Sequence, residues 1–206
     1  MGSLTAPWFS ETAGCQTRAV PFTLAAGPEI VAIPGPTIVP DRVLSAMHRP
    51  MPDIYAGELL TVTDEIYARL PSLARTTSPG LITVSNGHGA WAMALSNTLS
   101  RGDRVLVLEC GVFAGVWAEM AAFDGLDVEM LVADDGAAID PDAVEERLRA
   151  DRERLIEAVL MVQTDTASSA RNDVAAVRRA LDAADHPALL MVDCIASMRF
   201  QTFSWK

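Results

Sequence analysis

The tripeptide Gly87-His88-Gly89 stands between a β-rich run and a helical one. Glycines at such a junction let the backbone approach a ligand closely, and the unpaired N–H groups of a helix start attract an anion, a phosphate above all. A tight strand-to-helix turn with no guest explains the same residues. Extended to Ala92, the segment fits G-x-G-x-x-A, and Glu109 follows about twenty residues on, where a dinucleotide fingerprint places its ribose carboxylate. Asp193 closes an apolar run and needs a partner: a cationic ring nitrogen, a metal, or the N–H groups of the next turn. Phe113, just after Gly111, can stack on a flat ligand or fill core. His88 can touch a phosphate or only bond locally at the helix start. Cys194 beside Asp193 reads as a small buried residue, because no histidine lies near it in sequence.

These residues need a scaffold, and the apolar patterning supplies one. Pro40 and Asp41 open a short helix to Met47, and Glu58 to Leu73 has helical spacing. From Leu81 the pattern alternates. Leu81–Val84, Arg104–Leu108, Val128–Val132, Ala158–Val162 and Ala188–Val192 read as strands. Ala90–Leu99, Gly111–Phe123, Asp140–Arg154 and Asp173–Ala184 read as helices, with Asp140-Pro141 as cap and first-turn proline. Strands alternating with helices predict an α/β fold, a mostly parallel sheet wrapped by helices. Ligands in such sheets bind beyond the carboxyl ends of the strands, which directs attention to residues 86–89, 109–113, 163–169 and 193–197. Residues 1–22 read as an irregular arm, and residues 200–206 follow the last strand without forming a capping element.

Composition narrows the function. The chain has 206 residues and a formal charge of −11, which argues against a nucleic-acid surface built on phosphate contacts. No apolar run has the ~18 residues of a membrane span. The N-terminus has neither the basic start nor the apolar stretch of a secretory signal, so a cytoplasmic location is expected. Cys15, Cys110 and Cys194 form no metal or disulfide pattern, and His48, His88 and His186 are scattered, so no metal site is expected. Lysine occurs once, as Lys206, so any mechanism needing a lysine from this chain has one candidate.

Several segments in order resemble one family. Pro34-Gly35-Pro36-Thr37 with Val39-Pro40-Asp41-Arg42-Val43 resembles the opening segment of class V pyridoxal-phosphate-dependent aminotransferases, closest to the alanine–glyoxylate and serine–glyoxylate (serine–pyruvate) branch. Ser85-Asn86-Gly87-His88-Gly89-Ala90-Trp91, Asn97 to Leu106, and Val192-Asp193-Cys194-Ile195-Ala196-Ser197 are similar to further segments of that branch. The resemblance implies a type I fold, with a cofactor-binding large domain over residues 23–199, incomplete at its C-terminal end. It implies pyridoxal 5′-phosphate as cofactor and a homodimer. Asn86, Gly87, His88 and Gly89 would surround the phosphate and Phe113 would stack on the ring. Asp193 would meet the pyridine nitrogen, and Ile195 would pack on the other ring face. Ala167 falls where relatives often carry a serine or threonine near the phenolic oxygen, leaving Thr166 or Ser168 as substitutes.

The activity so implied is transfer of an amino group from a small amino acid to a 2-oxo acid, glyoxylate or pyruvate. The family's Schiff-base lysine, on a Ser-x-x-Lys-type segment, lies farther beyond the aspartate than this chain runs, and the C-terminal small domain is also absent. The chain therefore reads as truncated and inactive by itself. The alternatives are a non-catalytic remnant that works through interaction, and a dinucleotide-binding (NAD or FAD) domain.

Overall fold

The computed structural model describes residues 31–33, 35–134 and 136–198, which fall into two units, residues 1–49 and residues 50–206. The arm at 1–22, Pro34, the tail at 200–206 and Lys206 lie outside the described residues. In the first unit, helix α1 (Asp41–Met47) follows Pro40, with acidic Asp41 in its first turn, as the sequence predicts. The second unit holds helices α2 (Glu58–Leu73) and α3 (Gly87–Thr98). An alternating series follows: β1 (Arg104–Glu109), α4 (Val112–Phe123), β2 (Asp127–Val132), α5 (Pro141–Ala150), β3 (Ile156–Val162), α6 (Val174–Ala183) and β4 (Leu189–Asp193).

The four strands form a parallel sheet in the order β2-β1-β3-β4. Successive side chains of a strand point to opposite faces, and this sorts the core in two. Leu106, Leu108, Val159 and Met161 meet Val144 and Leu148 of α5 and Val177 and Leu181 of α6. Val105, Val107, Leu160 and Val162 meet Trp91 and Leu95 of α3 and Ala114 and Trp117 of α4. Both faces are covered, so the middles of the inner strands are apolar at every position, and Val105 to Leu108 are fully buried. Each such side chain contributes about 1.5–3 kcal/mol.

The chain runs from β1 outward to β2, then crosses back to place β3 on the other side of β1. That reversal opens a crevice at the carboxyl ends of β1 and β3.

Three local expectations are corrected. Leu81–Val84 is not a strand: it pairs with no strand among the described residues, and Leu81 and Val84 stand 80% and 103% exposed. β-prone side chains do not make a strand without a neighbour to complete the backbone hydrogen bonds. Helix α3 begins at Gly87 rather than Ala90, because the Asn86 side chain accepts from the Gly89 N–H at 3.1 Å and caps the helix there. Helix α5 ends at Ala150 rather than near Arg154. Asp151 turns back to accept from the Ile156 N–H, and Arg154 takes a left-handed φ of 53°.

Candidate active site

The carboxyl end of β4 meets the start of α3. Asp193 is the last residue of its strand and is half-buried. Its Oδ2 accepts from the indole Nε1–H of Trp91 at 3.0 Å, and its Oδ1 accepts from the Ile195 N–H at 2.8 Å. Asp193 therefore caps the following turn, as one of the sequence options held, and also takes a long-range partner. Ile195 reaches back to α3, where its Cδ1 lies 3.1 Å from the place a Cβ on Gly87 would occupy. Gly89 is tighter still, with Ser85 Oγ 2.5 Å from its would-be Cβ. Gly87 and His88 occupy the first helical positions, whose N–H groups have no acceptor within a helix. The His88 ring meets Trp91 edge-on at 4.8 Å, and Trp91 stacks on Trp117 at 5.1 Å with 9° between planes. Asn86, Gly87, His88, Gly89, Asp193 and Ile195 thus gather around one junction.

Phe113, Thr166, Ala167 and Ser168 gather around another, at the crevice between β1 and β3. Its centre is Asp165, fully buried. Asp165 Oδ2 accepts from the Phe113 N–H at 2.9 Å, and Oδ1 accepts from the N–H groups of Ala167 and Ser168 at 2.9 and 2.8 Å. Burial pushes this carboxyl up, but the N–H donors of Ser168, Phe113 and Ala167 outweigh it and hold the group below its ordinary value. Gly111 is flush against it: a Cβ there would lie 2.5 Å from Asp165 Cγ. Ser168 Oγ donates to the Cys110 carbonyl at 3.1 Å, while Thr166 and Ala167 are exposed. Phe113 is half-buried and packs on the α3–α4 core. The two junctions lie on one edge of the sheet. β1 and β4 are separated by β3 alone, roughly 10 Å from strand to strand.

Neither Trp91 nor Asp165 stands out in sequence as a site residue. A lone tryptophan in a helix of small residues needs a partner for its N–H once buried, and Asp193 needed a donor; the two requirements match. An aspartate followed by Thr166-Ala167-Ser168-Ser169 after a strand is an Asx-turn signal. Asn172 was equally hidden: buried, it accepts from the Ile139 N–H at 2.8 Å and donates to the Val162 carbonyl at 2.7 Å and the Cys110 sulfur at 3.0 Å. Gln163 and Ser197 complete the strand-end network through a 2.6 Å bond from Ser197 Oγ to Gln163 Oε1.

Nucleophilic thiol chemistry has no support here. Burial, then the adjacent Asp193 carboxylate, pushes the Cys194 thiol up to about 12. The dinucleotide reading loses its context too. Its fingerprint needs a strand ahead of the glycine turn, whereas 81–84 pairs with no strand among the described residues and Gly87 to Gly89 are the first turn of α3.

No family model matches the chain. It is 39% identical over 178 residues to a serine–glyoxylate aminotransferase of Methylorubrum extorquens, covering 84% of this chain and 44% of that relative. It is 37% identical over 179 residues to an L-aspartate–glyoxylate aminotransferase of Paracoccus denitrificans, covering 85% and 45%. Among solved structures it is similar to an alanine–glyoxylate aminotransferase from Nostoc, with a TM-score of 0.69 and 26% identity over 85% of this chain and 47% of that one. An aspartate aminotransferase of subgroup IV from Thermus thermophilus superposes with a TM-score of 0.72 and 26% identity, covering 82% and 47%. The chain spans less than half the length of each of these proteins. More than four-fifths of the chain aligns with these glyoxylate aminotransferases, and it shares the fold of the aminotransferase structures.

Proposed function

We propose that the chain supplies the cofactor-binding part of a pyridoxal-phosphate-dependent aminotransferase. The enzyme would move an amino group from a small amino acid to a 2-oxo acid, glyoxylate or pyruvate. The observation that carries this reading is the contact of the β4 aspartate with the α3 start: Trp91 bonds Asp193, and Ile195 closes on Gly87. A helix start that offers N–H groups suits a phosphate, and a carboxylate near it suits a cationic ring nitrogen. The chemistry such a cofactor supplies when bound is an electron sink for the substrate α-carbon.

The residues have distinct tasks in this reading. Gly87 and His88 bind the phosphate through their N–H groups, and Asn86 and Gly89 set the close approach. Asp193 keeps a proton on the ring nitrogen. Ile195 and Phe113 enclose the two ring faces and exclude water. Ala167 has no hydroxyl, and Ser168 Oγ is engaged with the Cys110 carbonyl, so Thr166 carries the hydroxyl for the phenolic oxygen. The one lysine of the chain, Lys206, lies outside the described residues, and the reading assigns cofactor binding to the residues that are described. A homodimer and a cytoplasmic setting belong to the same reading. The first has support from α2, which buries no side chain and exposes Leu60, Val62 and Ile66. The free thiols of Cys110 and Cys194 suit a reducing compartment.

Titration of the chain with pyridoxal 5′-phosphate and, separately, with NAD tests the proposal. Saturable binding of the first is expected, weakened about tenfold or more by Asp193→Ala. Saturable NAD binding indifferent to Asp193→Ala would replace this reading with the dinucleotide one.

A further inference from the structure

Asp193 is held by more than its own turn. Its Oδ1 is fixed by the Ile195 N–H within the loop, but Oδ2 is fixed from another element altogether, by the Trp91 indole at 3.0 Å. A carboxylate offers about four acceptor positions, so these two bonds set its plane and leave lone pairs for a further donor. Trp91 is itself immobilised. It is 6% exposed, lies stacked on Trp117, and takes the His88 ring edge-on. Trp117 is anchored by packing, since its own N–H is buried without a hydrogen-bond partner. His88 stands at the helix start and Asp193 at the strand end, so a single side chain touches residues at both ends of the site.

We infer that Trp91 is a positioning residue: its indole N–H orients the Asp193 carboxylate toward the ring nitrogen of the bound cofactor. This rests on the cofactor reading above and adds a residue to it. The indole touches the carboxylate and acts through it. Any π-rich side chain could fill the space beside Trp117, but only one with a correctly placed donor holds Oδ2.

Trp91→Phe keeps an aromatic ring in the stack and removes the donor. Equilibrium dialysis of the full 206-residue chain should compare two probes: pyridoxal 5′-phosphate, and its carbocyclic analogue with a carbon in place of the ring nitrogen. Both carry the same phosphate and a similar flat ring, but only the first has a nitrogen for Asp193 to meet. The substitution should weaken pyridoxal 5′-phosphate binding about tenfold, the scale of one lost hydrogen bond to a charged group, and leave the analogue's affinity unchanged. Unchanged analogue binding also shows that the variant has folded. Equal weakening of both probes would make Trp91 a packing residue and overturn the inference, as would no weakening of either. If the unaltered chain binds neither probe, or cannot tell them apart, the assignment of Asp193 fails first and the inference falls with it.

Discussion

Three N–H groups from two segments converge on the Asp165 carboxylate, at Phe113, Ala167 and Ser168, and they hold it ionised in spite of burial. Asp151 follows the same logic at the other end of the sheet. Burial raises it, but the N–H groups of Ile156 and Leu155 and the contact with His186 at 3.2 Å bring it below the ordinary value. A carboxyl lowered on folding adds stability above its unfolded value, ~3.9, and that stability fades as pH falls through the lower folded value. Urea unfolding should therefore show a loss of stability below roughly pH 4. Asp165→Asn should reduce that acid dependence and cost about 1–3 kcal/mol at neutral pH, because an amide group would turn a donor toward the converging N–H groups. An acid profile unchanged by the substitution would assign the effect elsewhere. In sequence, Asp193 and Gly87 could be marked because each sits at a strand end or helix start where a ligand is expected. Trp91 could not, because its partner is 102 residues away, and Asp165 only in part, because its turn with Ala167 and Ser168 is local while the Phe113 N–H comes from 52 residues away.

Glycines report how tightly the elements are fitted. Gly111 precedes α4 and has Asp165 pressed against it, whereas Gly115 lies one turn into the same helix with nothing within 4 Å of a would-be Cβ. Gly111→Ala should destabilise by about 1–3 kcal/mol, since the carboxylate it meets is anchored by three bonds. Gly115→Ala should be neutral or stabilise by up to ~1 kcal/mol, since alanine stiffens the unfolded chain and suits a helix. Denaturant midpoints of the two variants check the contrast; similar shifts for both would contradict the fit described at Asp165. The bounds of α2 and β1 were legible because apolar spacing, turn residues and local propensity agree there. Leu81–Val84 misled because propensity is local while strand pairing is not, and Asp140–Arg154 ran long because charged residues suit a helix and a helix end alike.

At the scale of the molecule, alternation of strand and helix was enough to give the layered α/β class, but not the strand order. Nothing in the spacing says that β3 crosses back beside β1, and the crevice at that reversal, with Asp165 in it, came only with the topology. No helix among the described residues is long and apolar enough to cross a membrane. The order of strands also ranks their persistence. β1 has a neighbour on each side and four side chains wholly out of solvent, while β4 borders β3 alone among the described residues. Amide hydrogen exchange should accordingly be slowest at Val105–Leu108, released only by global unfolding, and faster at Leu189–Asp193, where the edge can fray. Equal protection of the two segments would show that something further seals the β4 edge. The aspartate thus hangs from an edge strand, whose amides should trade deuterium sooner than those of β1, while the Asp165 turn is rooted between the two inner strands. One wall of the cleft can breathe while the other stays shut.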